Sequence, residues 1–117
     1  MMLAGMMFFI SCTSDLIKPD LPTVKPGDTV SFSRNVQPIF TSNCLGSGCH
    51  GIGALPPDLS AANSYNSLNS LGDINTANPP KSKLYVYMAP GGNMSGHCTT
   101  DDAATVLTWI EQGAKNN

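Results

Sequence analysis

Charged residues are scarce in this chain of 117 residues, and their scarcity excludes a large class of partners. Only 12% of the residues are Asp, Glu, Lys or Arg, and the formal net charge at pH 7 is −2. Six Lys and Arg residues in all leave no basic stripe that could neutralise a run of phosphates. We therefore expect no nucleic-acid partner.

Catalytic constellations are also missing. No nucleophile, base and acid occur in a recognisable set, and there is no glycine-rich phosphate loop. The candidate acids Asp58, Asp73, Asp101 and Asp102 all lie in capping or loop contexts. We expect neither an enzyme nor a small-molecule substrate.

Sustained alternation of apolar and polar residues is absent as well, so no sheet is expected. Nine Pro and eleven Gly in so short a chain favour one small, loop-rich domain with three to four helices. The sequence thus predicts an all-α fold. The first candidate helix spans residues 33–40, is capped by Ser33 and is shortened by Pro38. A second helical segment follows Asp58, with Ala61, Tyr65 and Leu68 on one side, and a short turn follows Ser82. The final helix follows Thr99 and ends at Gly113, and its apolar stripe consists of Ala103, Val106, Trp109 and Ile110.

The apolar run at residues 1–10 is too short to span a bilayer, which takes about 20 residues. We interpret residues 1–11 as an export signal. The sequence Phe9-Ile10-Ser11-Cys12 resembles a bacterial lipoprotein processing site, with cleavage before Cys12 and lipidation of that cysteine. Residues 12–31, rich in proline, would then be a tether. This predicts an exported, lipid-anchored protein on the periplasmic or cell-surface side of a bacterial membrane; a plain secretory signal is the alternative.

The richest motif is Cys44-Leu45-Gly46-Ser47-Gly48-Cys49-His50. Covalent haem sites usually have the form C-x-x-C-H, in which both thiols add to haem vinyl groups and the histidine binds iron. Here four residues separate the cysteines instead of two. The small residues Gly46, Ser47 and Gly48 suit a looped-out spacer that still lets both sulfurs reach the vinyl groups.

The order of elements resembles that of small class I type cytochrome c domains. The residues that carry the likeness are 32–40, 44–51, the Ser82-Lys83-Leu84-Tyr85 turn, Met94 and 109–114. The resemblance implies a cytochrome c domain over 32–117, with its first and last helices packed together around one covalent haem c. It also implies thioether bonds from Cys44 and Cys49, and His50 as the proximal iron ligand.

A methionine sulfur completes the iron coordination in that family, and two segments here look like its methionine loop. Met94 is favoured because it lies closer to the final helix, and Met88 is the alternative. His97 is a third candidate, which would make a bis-histidine site with a lower reduction potential.

Two interpretations without haem stay open. Cys44, Cys49, His50 and either His97 or Cys98 offer four ligands for a structural zinc ion. A disulfide between Cys44 and Cys49 with no cofactor would instead indicate an exported binding module. The haem interpretation uses two cysteines and leaves Cys98 over, so this thiol is free, buried beside the cofactor, or a sign against haem.

The function we expect is electron transfer outside the cytoplasm, through a single haem with His/Met ligation. Its partners would be redox proteins that dock transiently, together with the membrane that holds the lipid anchor.

Overall fold

The computed structural model describes residues 24–25, 27–46 and 49–117, and every regular element in these residues is helical. The all-α prediction is therefore confirmed for the described part of the chain. The elements, in chain order, are a π-helical turn, Phe32–Val36; α1, Gln37–Asn43; α2, Ser64–Ser70; a 3₁₀ turn, Pro79–Lys81; α3, Lys83–Met88; and α4, Thr100–Glu111.

Most of the predictions for the N-terminal segment concern residues that the structure does not describe. The predicted export signal at 1–11, the predicted lipidation site Cys12 and most of the predicted tether at 12–31 lie outside the described residues. Within the described ranges, no helix combines the length and apolar character needed to cross a bilayer.

The first helix begins earlier than predicted, because Ser31 and not Ser33 is its cap. The Ser31 hydroxyl accepts a hydrogen bond from the Arg34 backbone N–H at 3.3 Å. The Gln37 N–H donates to the Phe32 carbonyl, five residues back, which makes this turn a π-helix. Pro38 explains the wide turn: it has no N–H to donate, and in an α-helix its ring would collide with the carbonyl four residues earlier.

The final helix was predicted correctly. Thr99 caps α4, with its hydroxyl accepting from the Asp102 N–H at 3.0 Å and the Asp102 carboxylate accepting from the Thr99 N–H at 2.9 Å. Gly113 follows with φ +102°, a backbone conformation that ends the helix and favours glycine. The predicted stripe is fully buried and consists of Ala103, Val106, Trp109 and Ile110.

The two middle helices match the predictions in part. Leu68 is buried on α2, but Ala61 is exposed and precedes that helix. Ser82 stands at the start of α3 without capping it, because its hydroxyl accepts instead from the Asn75 N–H at 2.8 Å.

The two ends of the described chain are held together. The Phe32 and Trp109 rings lie 5.1 Å apart between centroids, which packs the π turn against α4. The Gln112 side chain accepts from the Val30 N–H at 2.8 Å and donates to the Asp28 carbonyl at 2.8 Å. Because the π turn continues directly into α1, this packing also fixes the helix that ends at the cysteine motif.

Candidate functional site

The cysteine motif begins where α1 ends. The Cys44 N–H donates to the Phe40 carbonyl at 2.8 Å, in the last turn of the helix. The His50 N–H then donates back to the Cys44 carbonyl at 2.9 Å, and the Cys49 N–H donates to the Gly46 carbonyl at 2.9 Å. The widened spacer is thus closed by backbone hydrogen bonds at its two ends. Ser47 and Gly48 lie outside the described residues.

The His50 ring is oriented by a backbone carbonyl. Its Nδ1 lies 3.1 Å from the Leu55 oxygen. Because a carbonyl oxygen only accepts, this contact assigns the proton of the neutral imidazole to Nδ1 and leaves the Nε2 lone pair for another group. Proteins commonly fix the tautomer and orientation of a metal-binding histidine in this way.

The segment after His50 is anchored to α1 through buried polar groups. The Leu59 N–H donates to the His50 carbonyl at 2.8 Å. The buried Gln37 side chain donates to the Leu59 carbonyl at 3.0 Å and accepts from the Ser64 hydroxyl. Gln37 therefore connects α1, the histidine loop and α2, so that His50 is held by packed elements on more than one side.

A cavity of about 360 Å³ lies beside this loop, within the range of volumes that small-molecule and cofactor sites occupy. Its lining is mostly apolar and includes all the predicted iron ligands and both predicted thioether cysteines. The lining residues are Phe40, Asn43, Cys44, Cys49, His50, Leu55, Pro56, Pro57, Leu59, Leu71, Asp73, Lys83, Leu84, Tyr87, Met88, Met94, His97 and Cys98.

All three candidates for the distal ligand line the cavity, but their surroundings differ. Met88 is 4% exposed and belongs to the buried hydrophobic core. Met94 is half-buried and is not part of that core. His97 is exposed. Core packing accounts for Met88, whereas the position of Met94 on the cavity wall has no such packing role.

The methionine loop is held tightly against the end of α3. The Met94 N–H donates to the Tyr87 carbonyl at 2.8 Å, and the Gly92 N–H donates to the Ala89 carbonyl at 2.8 Å. A β carbon on Gly92 would collide with the backbone carbonyl oxygens of Val86 and Tyr87. Only glycine allows this approach, so Gly92 positions the backbone that carries Met94.

Three cysteines line the cavity. Interaction with the Cys98 thiol is the largest cause of a pKa for Cys44 well above the usual range. Burial and electrostatic interaction with Cys98, Asp102 and Cys49 raise the pKa of Cys44 further. Cys98 therefore lies beside Cys44, a position that the sequence left open.

The polar groups of the cavity also include a buried carboxylate. Asp73 is 5% exposed, and its Oδ1 has no hydrogen-bond partner among the described residues. The nearest cation is Lys83, whose Nζ lies 4.0 Å from that oxygen and whose side chain is largely exposed. This distance is too long for a hydrogen bond, so the ammonium group retains capacity for another anion.

The zinc alternative gains no support from the geometry. Within residues 24–25, 27–46 and 49–117, no three His, Cys, Asp or Glu side chains converge where they could hold a metal ion.

Sequence reasoning missed three residues that shape the site, namely Gln37, Leu55 and Gly92. Gln37 and Leu55 act through contacts with distant or backbone groups, for which the sequence carries no signal. The sequence does carry a signal for Gly92, since paired glycines next to a methionine indicate a tight turn. No protein-family model, no curated protein and no solved structure matches this chain.

Proposed function

We propose that this protein is an exported, lipid-anchored c-type cytochrome that transfers single electrons between redox proteins outside the cytoplasm. One haem c would be attached through Cys44 and Cys49, with His50 and Met94 as its iron ligands. The proposal includes the small cytochrome c fold, which the packing of the first helical turn against α4 supports.

The observation that carries the proposal is the contact that orients the His50 ring at the cavity wall. Its Nδ1 proton is committed to the Leu55 carbonyl, its Nε2 keeps a lone pair, and its side chain lines a largely apolar cavity beside two cysteines. A histidine prepared in this way is a ligand for iron, and the adjacent thiols are the groups that attach haem covalently.

The rest of the cavity also fits haem. Haem is a flat, mostly apolar macrocycle with two carboxylate side chains, and it needs apolar walls and a cation at one edge. Phe40, Leu59 and Leu84 supply buried apolar surface, and Lys83 would hold a propionate. The chemistry of the lining residues therefore agrees with the proposed cofactor.

Bound haem would supply a one-electron couple between ferrous and ferric iron. Within the protein, the Leu55 carbonyl keeps the His50 ring fixed while the charge of the site changes. The apolar lining excludes water, and the Met94 thioether is a soft ligand whose presence raises the reduction potential relative to a second histidine.

A redox partner would dock where apolar residues of the cavity wall reach the surface. Leu55, Leu71 and Tyr87 line the cavity and are 61%, 52% and 39% exposed. A small apolar rim of this kind suits the brief contacts of electron carriers.

The test is a potentiometric titration of the purified, haem-loaded protein, in which we expect one reversible one-electron transition. Met94→Ala should lower the midpoint potential and abolish the spectral signature of methionine ligation. The matched variant Met88→Ala should keep both, while destabilising the fold by about 2–5 kcal/mol, because it leaves a hole in the core.

A protein without a redox-active chromophore would refute the proposed function. A loss of methionine ligation in Met88→Ala but not in Met94→Ala would instead show that the distal ligand is Met88.

A further inference from the structure

The third cysteine of the cavity has no place in haem attachment, yet it contacts the first attachment cysteine. Cys44 and Cys98 are both half-buried, both line the cavity, and both pack against the hydrophobic core. Cys44 directly follows α1, whereas Cys98 directly precedes the cap of α4. The neighbours of both cysteines bind one carboxylate, since the Asp102 carboxylate accepts from the Asn43 side chain at 3.3 Å and from the Thr99 N–H at 2.9 Å. The two thiols are close enough for Cys98 to affect the pKa of Cys44. Tertiary packing thus brings together two thiols that are far apart in sequence.

We propose that Cys44 and Cys98 are a redox-active pair, which forms a disulfide in the haem-free chain and thereby withholds Cys44 from haem attachment until it is reduced. The inference about haem rests on the whole proposed function, whereas the disulfide rests only on the proposed export. An exported chain meets oxidants before it meets a cofactor, and neighbouring thiols pair by default in such a compartment.

The chemistry balances as an exchange with an external disulfide, supplied by a small molecule or by a thiol oxidant protein. One cysteine thiolate attacks the external disulfide, forms a mixed disulfide and releases one thiol. The second cysteine loses its proton, attacks the bound sulfur of the first and releases the other thiol. Two electrons and two protons pass from the pair to the external disulfide.

The disulfide would affect haem attachment because a cysteine sulfur forms only one bond besides the bond to its β carbon. A thioether to a haem vinyl group requires Cys44 as a thiol, and a sulfur already in a disulfide cannot form it. Reduction by a dithiol of the same compartment would return both thiols. Removing Cys98 should therefore make haem attachment less dependent on reductant.

The first experiment uses the full chain exported from a host without c-type haem maturation, quenched with an alkylating agent and digested with trypsin. Cys44 and Cys49 both fall in fragment 35–81, and Cys98 falls in fragment 84–115. We expect these fragments to be linked, with the loss of two hydrogen atoms relative to the reduced fragments. The link should persist in Cys49→Ala and disappear in Cys44→Ala.

A link that persists in Cys44→Ala would overturn the proposal, because Cys49 would then be the partner. Unlinked fragments in the wild-type chain would overturn it as well.

The second experiment measures covalent haem per chain in a host with c-type maturation and limited reductant. Cys98→Ala should carry more haem than wild type, and added reductant should remove the difference. Equal loading under limited reductant would contradict the proposed control of attachment. Haem in neither protein, together with linked fragments in the first experiment, would refute the cytochrome and leave the disulfide standing.

Discussion

The chemistry of this site depends on the immediate surroundings of three individual residues, His50, Cys44 and Gly92. The Leu55 carbonyl accepts from His50 Nδ1, which in the neutral ring leaves the Nε2 lone pair available. Interaction with Cys98 and partial burial raise the pKa of Cys44, which disfavours its thiolate. Gly92 lies so close to the end of α3 that it has no room for a side chain. Each of these environments gives an effect that can be measured on one residue.

The first prediction concerns the reactivity of Cys44 in the reduced, haem-free chain. The raised pKa of Cys44 keeps the thiol protonated at pH values where an ordinary cysteine is partly thiolate, and the thiolate is the nucleophile. Alkylation of Cys44 in the folded Cys49→Ala variant should therefore be slow at pH 8 and rise only at higher pH. The measurement is mass-spectrometric alkylation kinetics against pH.

Replacing Cys98 by Ala in the same background removes the largest cause of the shift. The pH profile of Cys44 should then move to lower pH, towards that of the chain unfolded in denaturant. Identical profiles with and without Cys98 would show that burial and the Asp102 carboxylate, and not Cys98, control the thiol.

The second prediction concerns Gly92. A β carbon there would force the methionine loop away from α3, at a cost of about 1–3 kcal/mol, typical of overpacking. Gly92→Ala should lower the free energy of unfolding and weaken or abolish methionine ligation in the haem-loaded protein. Denaturant unfolding and the absorption spectrum of the ferric protein measure the two effects.

Gly96 provides the matched control in the same loop. A β carbon on Gly96 meets no atom, and its φ is not in the left-handed region. Gly96→Ala should therefore leave both readouts close to wild type. Equal effects of the two substitutions would mean that loop flexibility, and not close packing, is what Gly92 supplies.

At the scale of helices, the end of α1 and the start of α4 position the cysteines of the site. The π turn and α1 lead into Cys44, and the N-terminus of α4 follows Cys98. Asn43 donates to the Asp102 carboxylate at 3.3 Å, which ties the end of α1 to the start of α4. The Asp102 carboxylate of the capping box therefore stabilises both the start of α4 and its contact with the end of α1 beside Cys44.

The third prediction tests that cap. Thr99→Ala removes the hydroxyl that accepts from the Asp102 N–H and should cost about 1 kcal/mol of unfolding free energy. Thr100→Ala, one residue later on an exposed position, should cost much less. Denaturant unfolding of both variants checks the difference. Equal losses would show that the box contributes nothing beyond local helix propensity.

Local patterns decided which elements could be predicted. The cap at Thr99 and the stripe from Ala103 to Ile110 are local signals, and α4 follows them closely. The start at Ser31 was missed because the turn before Pro38 is a π-helix, in which bonding reaches five residues back. The motif residues Cys44, Cys49 and His50 were predicted to meet Met94, with Met88 as the alternative, and all five residues line one cavity. The contact of Cys98 with Cys44 could not be foreseen, since only tertiary packing creates it.

At the scale of the whole molecule, part of the hydrophobic core of the described residues faces the cavity. A domain of this size buries a smaller fraction of its surface than a large one. Several core side chains, including Phe40, Leu59 and Leu84, line the cavity directly. A bound apolar cofactor would add the missing contacts, and by binding only the folded chain it would stabilise the fold. On this account the cofactor is part of the core.

The most direct test of this account is acid-acetone extraction followed by a pyridine haemochrome spectrum. The protein would be exported from a host with c-type haem maturation and compared with Cys44→Ala and Cys49→Ala. We predict that haem stays with the wild-type chain after extraction and that attachment is impaired in both variants. Wild-type protein without haem, or haem that extracts completely, would contradict the assignment of Cys44 and Cys49 as haem anchors.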